Sequence, residues 1–415
     1  MTLSGGDIAV PAQTRLNVRQ LVLLVIAMFV AMMVLTLPVA QLDRFVSRLL
    51  PDGGADLALE NTAKGFFQTA HFLAYIPFAF IWGALSDRSG KRKPILLIGM
   101  SGQAVMYFLI PFIDNIWLLY AVRFIEGTFG IAVVSMLMTM ALDIAPPARR
   151  GMTLGIFTMG MLLGNAAGTP LGGSLSKLDL AYPFWLGTVL LAVISTIIFF
   201  LVKEPGAQTR AYSFRRALAA FREQPRLIIP YAFSFLDRLT VGFFISTFLL
   251  LVKEVYSLDA AQAGAYLGIF LGCFALFSPL GGILSDRLGR AKPMLLGTAI
   301  YGVTLLLIGR VAPEMLYAVM AIGGLSGAIL YPPSIALVGD YASPGQRGVA
   351  MGGFNLAGST GFAIGPILFG LIADAYGLLA TPLVAGALCL LAAAVAAPIL
   401  LRKEGVDTVS PELQT

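Results

Sequence analysis

The chain has 415 residues, of which 58% are hydrophobic and 12% charged, and its mean hydropathy is +0.86. Soluble globular chains carry about 25% charged residues, so most of this surface is built to face something other than water. The net charge of +6 invites a nucleic-acid partner, but the placement of the cations, described below, excludes that reading.

Taken in chain order, apolar runs fall at about 20–41, 63–86, 94–113, 116–142, 151–175 and 182–202. They resume at about 227–252, 261–285, 293–311, 314–339, 348–373 and 379–401. Each has about the 20 residues that a helix needs to cross a hydrocarbon core, and helices are the only reading for runs of this length in lipid. The expectation is an all-α integral membrane protein with twelve spans. The first run is too long, and lacks the small-residue cleavage pattern, for a removable signal peptide. Cys273 and Cys389 fall inside spans without metal or redox spacing and read as packing residues.

Of the 28 Lys and Arg residues, twenty fall on one side of the membrane if the spans alternate. Short cytoplasmic loops retain positive charge, so both termini are expected inside. The basic excess is a topology signal rather than a ligand site, and no nucleic acid is expected.

The phrase "GALSDRSGKRKP" (83–94) returns as "GGILSDRLGRAKP" (281–293), with Asp87 and Asp286, and Gly90 and Gly289, 199 residues apart. Farther on, Asp143 meets Asp340, and Gly164 and Gly168 meet Gly361 and Gly365, at an offset of 197. One six-span unit therefore occurs twice in the same orientation, which places a path between two parallel bundles. The expected division is 1–203 and 227–403 for the bundles, 204–226 for a polar cytoplasmic linker, and 404–415 for a cytoplasmic tail.

The loop phrase resembles the signature of the major facilitator superfamily, Gly-x-x-x-Asp-Arg-x-Gly-Arg/Lys-Arg/Lys. Gly83, Asp87, Arg88, Gly90, Lys91 and Arg92 match all of it. The second copy matches at Gly282, Asp286, Arg287, Gly289 and Arg290, and departs at Ala291. The resemblance implies that Asp87 and Arg88 help latch the cytoplasmic side, with Asp143, and by the repeat Asp340, as partners. The physics agrees: glycine ends a helix tightly, and arginine offers a forked donor to a carboxylate. The plain alternative is a set of solvated loop charges that enforce topology.

Ionisable groups inside spans are costly and face a cavity or a partner. In "AVRFIEGTFGIA", Arg123 and Glu126 are three residues apart and share a helix face with Gly127 and Gly130. Glu126 lies about 15 Å along the span. The stretch resembles the family's span-four motif, Arg-x-x-x-Gly, which implies proton coupling; this chain has Glu126 where the family commonly has glutamine. Met320 and Gly323 hold the equivalent places in the second half. The plain alternative is a self-neutralising pair that pins helices.

Span seven adds Asp237, a second proton candidate, and Arg238. Their side chains leave the helix about 100° apart and are not expected to neutralise each other face to face; a salt bridge across helices that closes one side of the cavity is the alternative. His71, near Gln68 in span two, is a further proton or substrate candidate, or else a satisfied hydrogen-bonding residue. Asp43, at the outer end of span one, carries little weight. In span five "GNAAGTPLGG" resembles the family's antiporter motif through Gly164, Gly168, Gly172 and Gly173, with Pro170 displaced one place by Thr169. Small residues and proline suit a gate, and ordinary tight packing is the alternative.

The expected function is a proton-coupled exporter of small amphiphilic organic compounds that works by alternating access. A symporter or organic-anion exchanger is the alternative, and a non-transporting sensor a remote one. A single histidine, no zinc-ligand pair and no nucleotide loop argue against an enzyme. The expected partners are a small-molecule substrate, protons and membrane lipids, with no cofactor and no metal, and the setting is a monomer in the cell (inner) membrane.

Overall fold

The computed structural model describes residues 17–50, 59–145, 150–204, 224–342 and 347–407. All secondary structure there is helical. The helices are α1 (Val18–Ser47), α2 (Glu60–Ser89), α3 (Lys93–Leu109), α4 (Ile116–Asp143), α5 (Arg150–Leu175) and α6 (Tyr182–Leu201). The second set is α7 (Pro225–Tyr256), α8 (Ala260–Leu288), α9 (Ala291–Leu307), α10 (Pro313–Tyr341), α11 (Arg347–Tyr376) and α12 (Ala380–Asp407). Ten helices among the described residues are long and apolar enough to cross a membrane. The other two have counterparts in the opposite half: α5 packs on α1 as α11 does on α7, and α9 packs on α10 and α12 as α3 does on α4 and α6.

Local chemistry sets the ends. The Asn115 side chain accepts from the Trp117 and Leu118 amides at 2.9 and 3.1 Å and starts α4. Asp259 and Gln262 form a capping box at the start of α8. The two repeat loops turn on Gly90 and Gly289, which carry φ of +65° and +84°, conformations that residues with a Cβ avoid. At the first of those loops the Glu204 carboxylate caps α3 through the Arg92 and Lys93 amides. α1 breaks at Pro38 into a 3₁₀ turn, and α7 carries a π-turn at Phe244–Phe248.

The pairing within the halves repeats. α2 packs on α4 and α1 on α5; in the second set α8 packs on α10 and α7 on α11. The linker expected at 204–226 lies mostly outside the described residues, as does the tail beyond Asp407; helix α12 itself runs to Asp407.

The halves meet along two seams, α2 with α11 and α5 with α8. The face that carries the repeat loops is the basic face, and the opposite one is the distal face. Near the distal face the seams close to backbone contact: a Cβ on Gly65 would lie 2.2 Å from the Pro366 carbonyl oxygen, and one on Gly173 would lie 2.4 Å from that of Ala260. Three polar clasps reinforce this. The Asp374 carboxylate accepts from the Asn61 and Thr62 amides at 2.9 and 2.8 Å and from the Thr62 hydroxyl at 2.5 Å, so α11 caps the start of α2. Lys253 bonds the Asp43 carboxylate at 3.0 Å and the Ala40 carbonyl at 2.8 Å, and Lys177 meets Asp259 at 2.9 Å. The Gln262 amide and the Lys177 ammonium hold the Asp259 carboxyl below its usual range. Toward the basic face the seams part, and a Cβ on Gly83 or Gly282 would meet nothing within 4 Å.

Candidate functional site

Four side chains from three helices meet in the middle of the first half, all sealed from solvent or nearly so. The Glu126 carboxylate accepts from the Arg123 guanidinium at 2.8 Å and lies 2.5 Å from His71 Nδ1, both at Oε2. Its Oε1 accepts from the Gln103 amide at 2.6 Å. Arg123 reaches on to Gln68 at 3.2 Å and lies over the Phe67 ring at 4.3 Å. His71 Nε2 stands 3.1 Å from the Tyr75 hydroxyl. Arg123, Glu126 and His71 are each 0% exposed.

Glycine makes this approach geometrically available. A Cβ on Gly127 would lie 2.1 Å from the His71 carbonyl oxygen, so only glycine lets α4 press against α2 here. Gly130, one turn on, leaves room for the His71 ring and the Gln103 amide, each within 3.3 Å of where its Cβ would be. Burying a carboxylate costs several kcal/mol unless it is paired and hydrogen-bonded; here the arginine, the imidazole and the amide meet that demand together.

The sequence reading treats Arg123 and Glu126 as one unit, and the structure brings them together. It also makes His71 a direct partner of Glu126. Gln103 and Tyr75 join them without a sequence signal; a glutamine in span three one helix away from Glu126 carries no periodic pattern in a chain of this composition.

Asp237 and Arg238 differ from the expectation. Their helix positions diverge, yet the long arginine side chain curls back to place its guanidinium 3.2 Å from the Asp237 carboxylate. Arg238 also donates to the Tyr331 hydroxyl and lies 4.6 and 5.2 Å from the ring centres of Tyr331 and Phe362. Phe362 in turn stacks on Phe72 of the other half at 4.7 Å. Phe72 packs against His71 at 4.8 Å. The two ionic groups therefore flank one aromatic bridge across the α2–α11 seam.

In the first repeat loop, Arg92 rather than Arg88 joins the carboxylates, reaching Asp87 at 2.7 Å and Asp143 at 3.5 Å, with Ser86 at 2.6 Å. Arg88 and Lys91 are exposed. In the second loop Arg290 does the same work with Asp286, Asp340 and Ser285. Two residues rather than three separate α8 from α9, so the linking arginine moves one place forward and Ala291 is free to start the helix. Each cluster ties helices of its own half.

The glycines of span five point two ways. Gly164, Gly168 and Gly172 face α1, where a Cβ on Gly172 would lie 1.8 Å from the Leu37 carbonyl oxygen. Gly173 and Pro170 face α8 across the seam. Asp43, given little weight from sequence, forms one of the distal clasps; Lys177 and Lys253 signal it, as cations on the face where the chain carries few. A cavity of about 530 Å³ opens on the distal face beside this clasp, lined by Asp43, Glu60, Lys64, Lys253 and Glu254, away from the buried charges.

Comparison with known proteins agrees with this architecture. The family model described as Major Facilitator Superfamily matches residues 20–249 and 231–414. The chain is 35% identical over 328 residues to multidrug resistance protein MdtG of Salmonella choleraesuis (strain SC-B67), covering 76% of this chain and 80% of that one. It is 25% identical over 333 residues to the class B tetracycline resistance protein of Escherichia coli, covering 76% and 80%. In fold it is similar to the nucleoside transporter NupG, with a TM-score of 0.77 at 17% identity, covering 92% of this chain and 100% of that one.

Proposed function

Because the chain belongs to the Major Facilitator Superfamily, and is thereby a multi-pass membrane transporter rather than an enzyme, we propose how its buried charges carry out proton-coupled export of small amphiphilic organic compounds. Relatives named for tetracycline and multidrug resistance support efflux. The basic face is the cytoplasmic one on the positive-inside rule, so the arrangement with parted seams is open to the cytoplasm and clasped outside. The setting we propose is the cell inner membrane, with the chain acting as a monomer.

The observation that carries the coupling is the contact of His71 Nδ1 with a carboxylate already paired to Arg123. A neutral His71 that donates from Nδ1 to Glu126 leaves Nε2 to accept from the Tyr75 hydroxyl. A proton delivered to Nε2 turns that bond round, so the imidazolium donates to the phenol oxygen. The group of three then passes from no net charge to one positive charge in a sealed, low-dielectric space. Such a charge is tolerated best when the seam beside it rearranges, and Phe72 and Tyr75 are the side chains that link His71 to that seam. Proton loading thereby biases which face is open, in the sense of a population shift.

The test is proton flux in vesicles containing the purified protein, followed with a pH-sensitive dye while a drug panel is added outside. Substrate-dependent proton release that disappears in Glu126→Gln supports the assignment. Wild-type flux with unaltered pH dependence in both Glu126→Gln and His71→Gln would remove it.

A further inference from the structure

Resting on the transporter reading above, the geometry points to Arg238 as the recognition point for an anionic group on the cargo, which is then an amphiphile with an acidic head and a flat apolar body. Among the mid-membrane charges the two halves differ in access. Arg123 and Glu126 are 0% exposed, whereas the Arg238 side chain is 18% exposed and its neighbour Asp237 only 7%. The charge that the path meets is therefore positive.

The direction of that exposure follows from its surroundings. The guanidinium lies between Tyr331 and Phe362, and the Phe362 ring rests on Phe72 of the opposite half. A guanidinium turned to lipid at this depth would be costly; bracketed by rings at the seam, it looks into the space between the halves. The Phe72–Phe362 stack closes that space toward the distal face, and the seam parts toward the basic face.

The donor count agrees. A guanidinium has five N–H groups, and two bonds, to Asp237 and Tyr331, are present among the described residues. The remaining fork is suited to a carboxylate, sulfonate or phosphate, and the flanking aromatic faces suit the flat body attached to it. Exchanged one for one, an outgoing anion and an incoming proton both carry positive charge inward, so an inside-negative potential drives export of such a cargo.

The experiment uses the full-length protein in nanodiscs and a matched pair of xanthene probes, carboxyfluorescein as the anion and rhodamine 6G as the cation, with binding read by anisotropy. Carboxyfluorescein should bind at least tenfold more tightly than rhodamine 6G. Arg238→Gln should lose at least tenfold of that affinity and Arg238→Lys less. Asp237→Asn should leave it equal or tighter, because it removes an opposing charge; a merely structural pair would suffer from both changes. Preference for the cation, or an unchanged anion affinity in Arg238→Gln, overturns the inference. A pH-gradient transport arm separates the two readings. Arg238-dependent binding without proton-driven movement sinks the export reading and leaves the anion site standing. Proton-driven movement of rhodamine 6G, with no binding of carboxyfluorescein, does the reverse.

Discussion

At the centre of the first half α4 presents Glu126 to His71; at the same place in the second half α10 presents Gly323 to the ring of Phe270. A Cβ on Gly323 would lie 3.3 Å from that ring and 3.4 Å from the Thr304 hydroxyl, so the volume that holds a carboxylate and an imidazole in one half holds an aromatic ring and an uncharged hydroxyl in the other. Phe270 stacks on Phe244 at 4.6 Å. The next glycine is shared by both: a Cβ on Gly127 would meet the His71 carbonyl oxygen at 2.1 Å, and one on Gly324 would meet that of Phe270 at 2.1 Å. The frame is duplicated and the chemistry is not. Polar groups in the first half are thus a departure from what the scaffold needs, which is what the proposed proton site requires.

The largest effect should come from Glu126→Gln. Without the carboxylate that faces it, a proton on buried His71 costs about 3–5 kcal/mol more, so substrate-driven proton flux should fall by about 100-fold or more. The variant also leaves Arg123 buried without its counter-ion, at about 3–5 kcal/mol, visible as a lower Tm in detergent. Adding Arg123→Gln should recover most of the Tm and none of the flux. Recovery of both would make the pair structural.

Next comes His71→Phe, which rewrites the first half in the manner of the second. Packing should survive, since Phe270 shows that the frame accepts the ring, while proton flux falls by at least tenfold and probe binding at Arg238 stays within about twofold. Gly127→Ala and Gly324→Ala sharpen the same contrast. Both meet a carbonyl at the same distance and should cost about 1–3 kcal/mol, but only Gly127→Ala should displace the pH profile of transport.

The smallest effects are expected at the distal clasps. Asp374→Asn keeps the size and loses the charge that caps α2, worth about 1 kcal/mol, and should raise spin-label populations with the distal face open by about fivefold. The Lys177–Asp259 clasp should ignore pH over about pH 5 to 8. A depressed carboxyl contributes stability above its ordinary pKa and loses it only as pH falls through the lowered value, and Asp259 is held below its usual range. A clasp that opened near neutral pH would move proton sensing from His71 to the distal face.

Much of this was legible in the sequence because the bilayer imposes it. Span length, the cation bias and the offsets of 199 and 197 follow from hydrocarbon thickness and duplication, and they survive without any knowledge of contacts. The pairing of Arg123 with Glu126 was legible too, since helical spacing alone puts them together. What escaped depends on partners from other helices. Gln103 reads as one polar residue in an apolar span and Asp43 as a charge at the outer end of span one, and Asp374 stands just past the last apolar run of span eleven without a signal of its own. The choice of Arg92 over Arg88 turns on how Gly90 aims the chain, and the closeness of Asp237 to Arg238 on the reach of one long side chain rather than on helix phase.

The Asp374 clasp has a consequence for how such a carrier is tuned. Two of its three donors are main-chain amides of α2, which every residue except proline supplies. Drift along the start of α2 therefore leaves the hold almost intact, and its strength is adjusted from the α11 side alone, by one carboxylate that natural variation can lengthen, neutralise or remove.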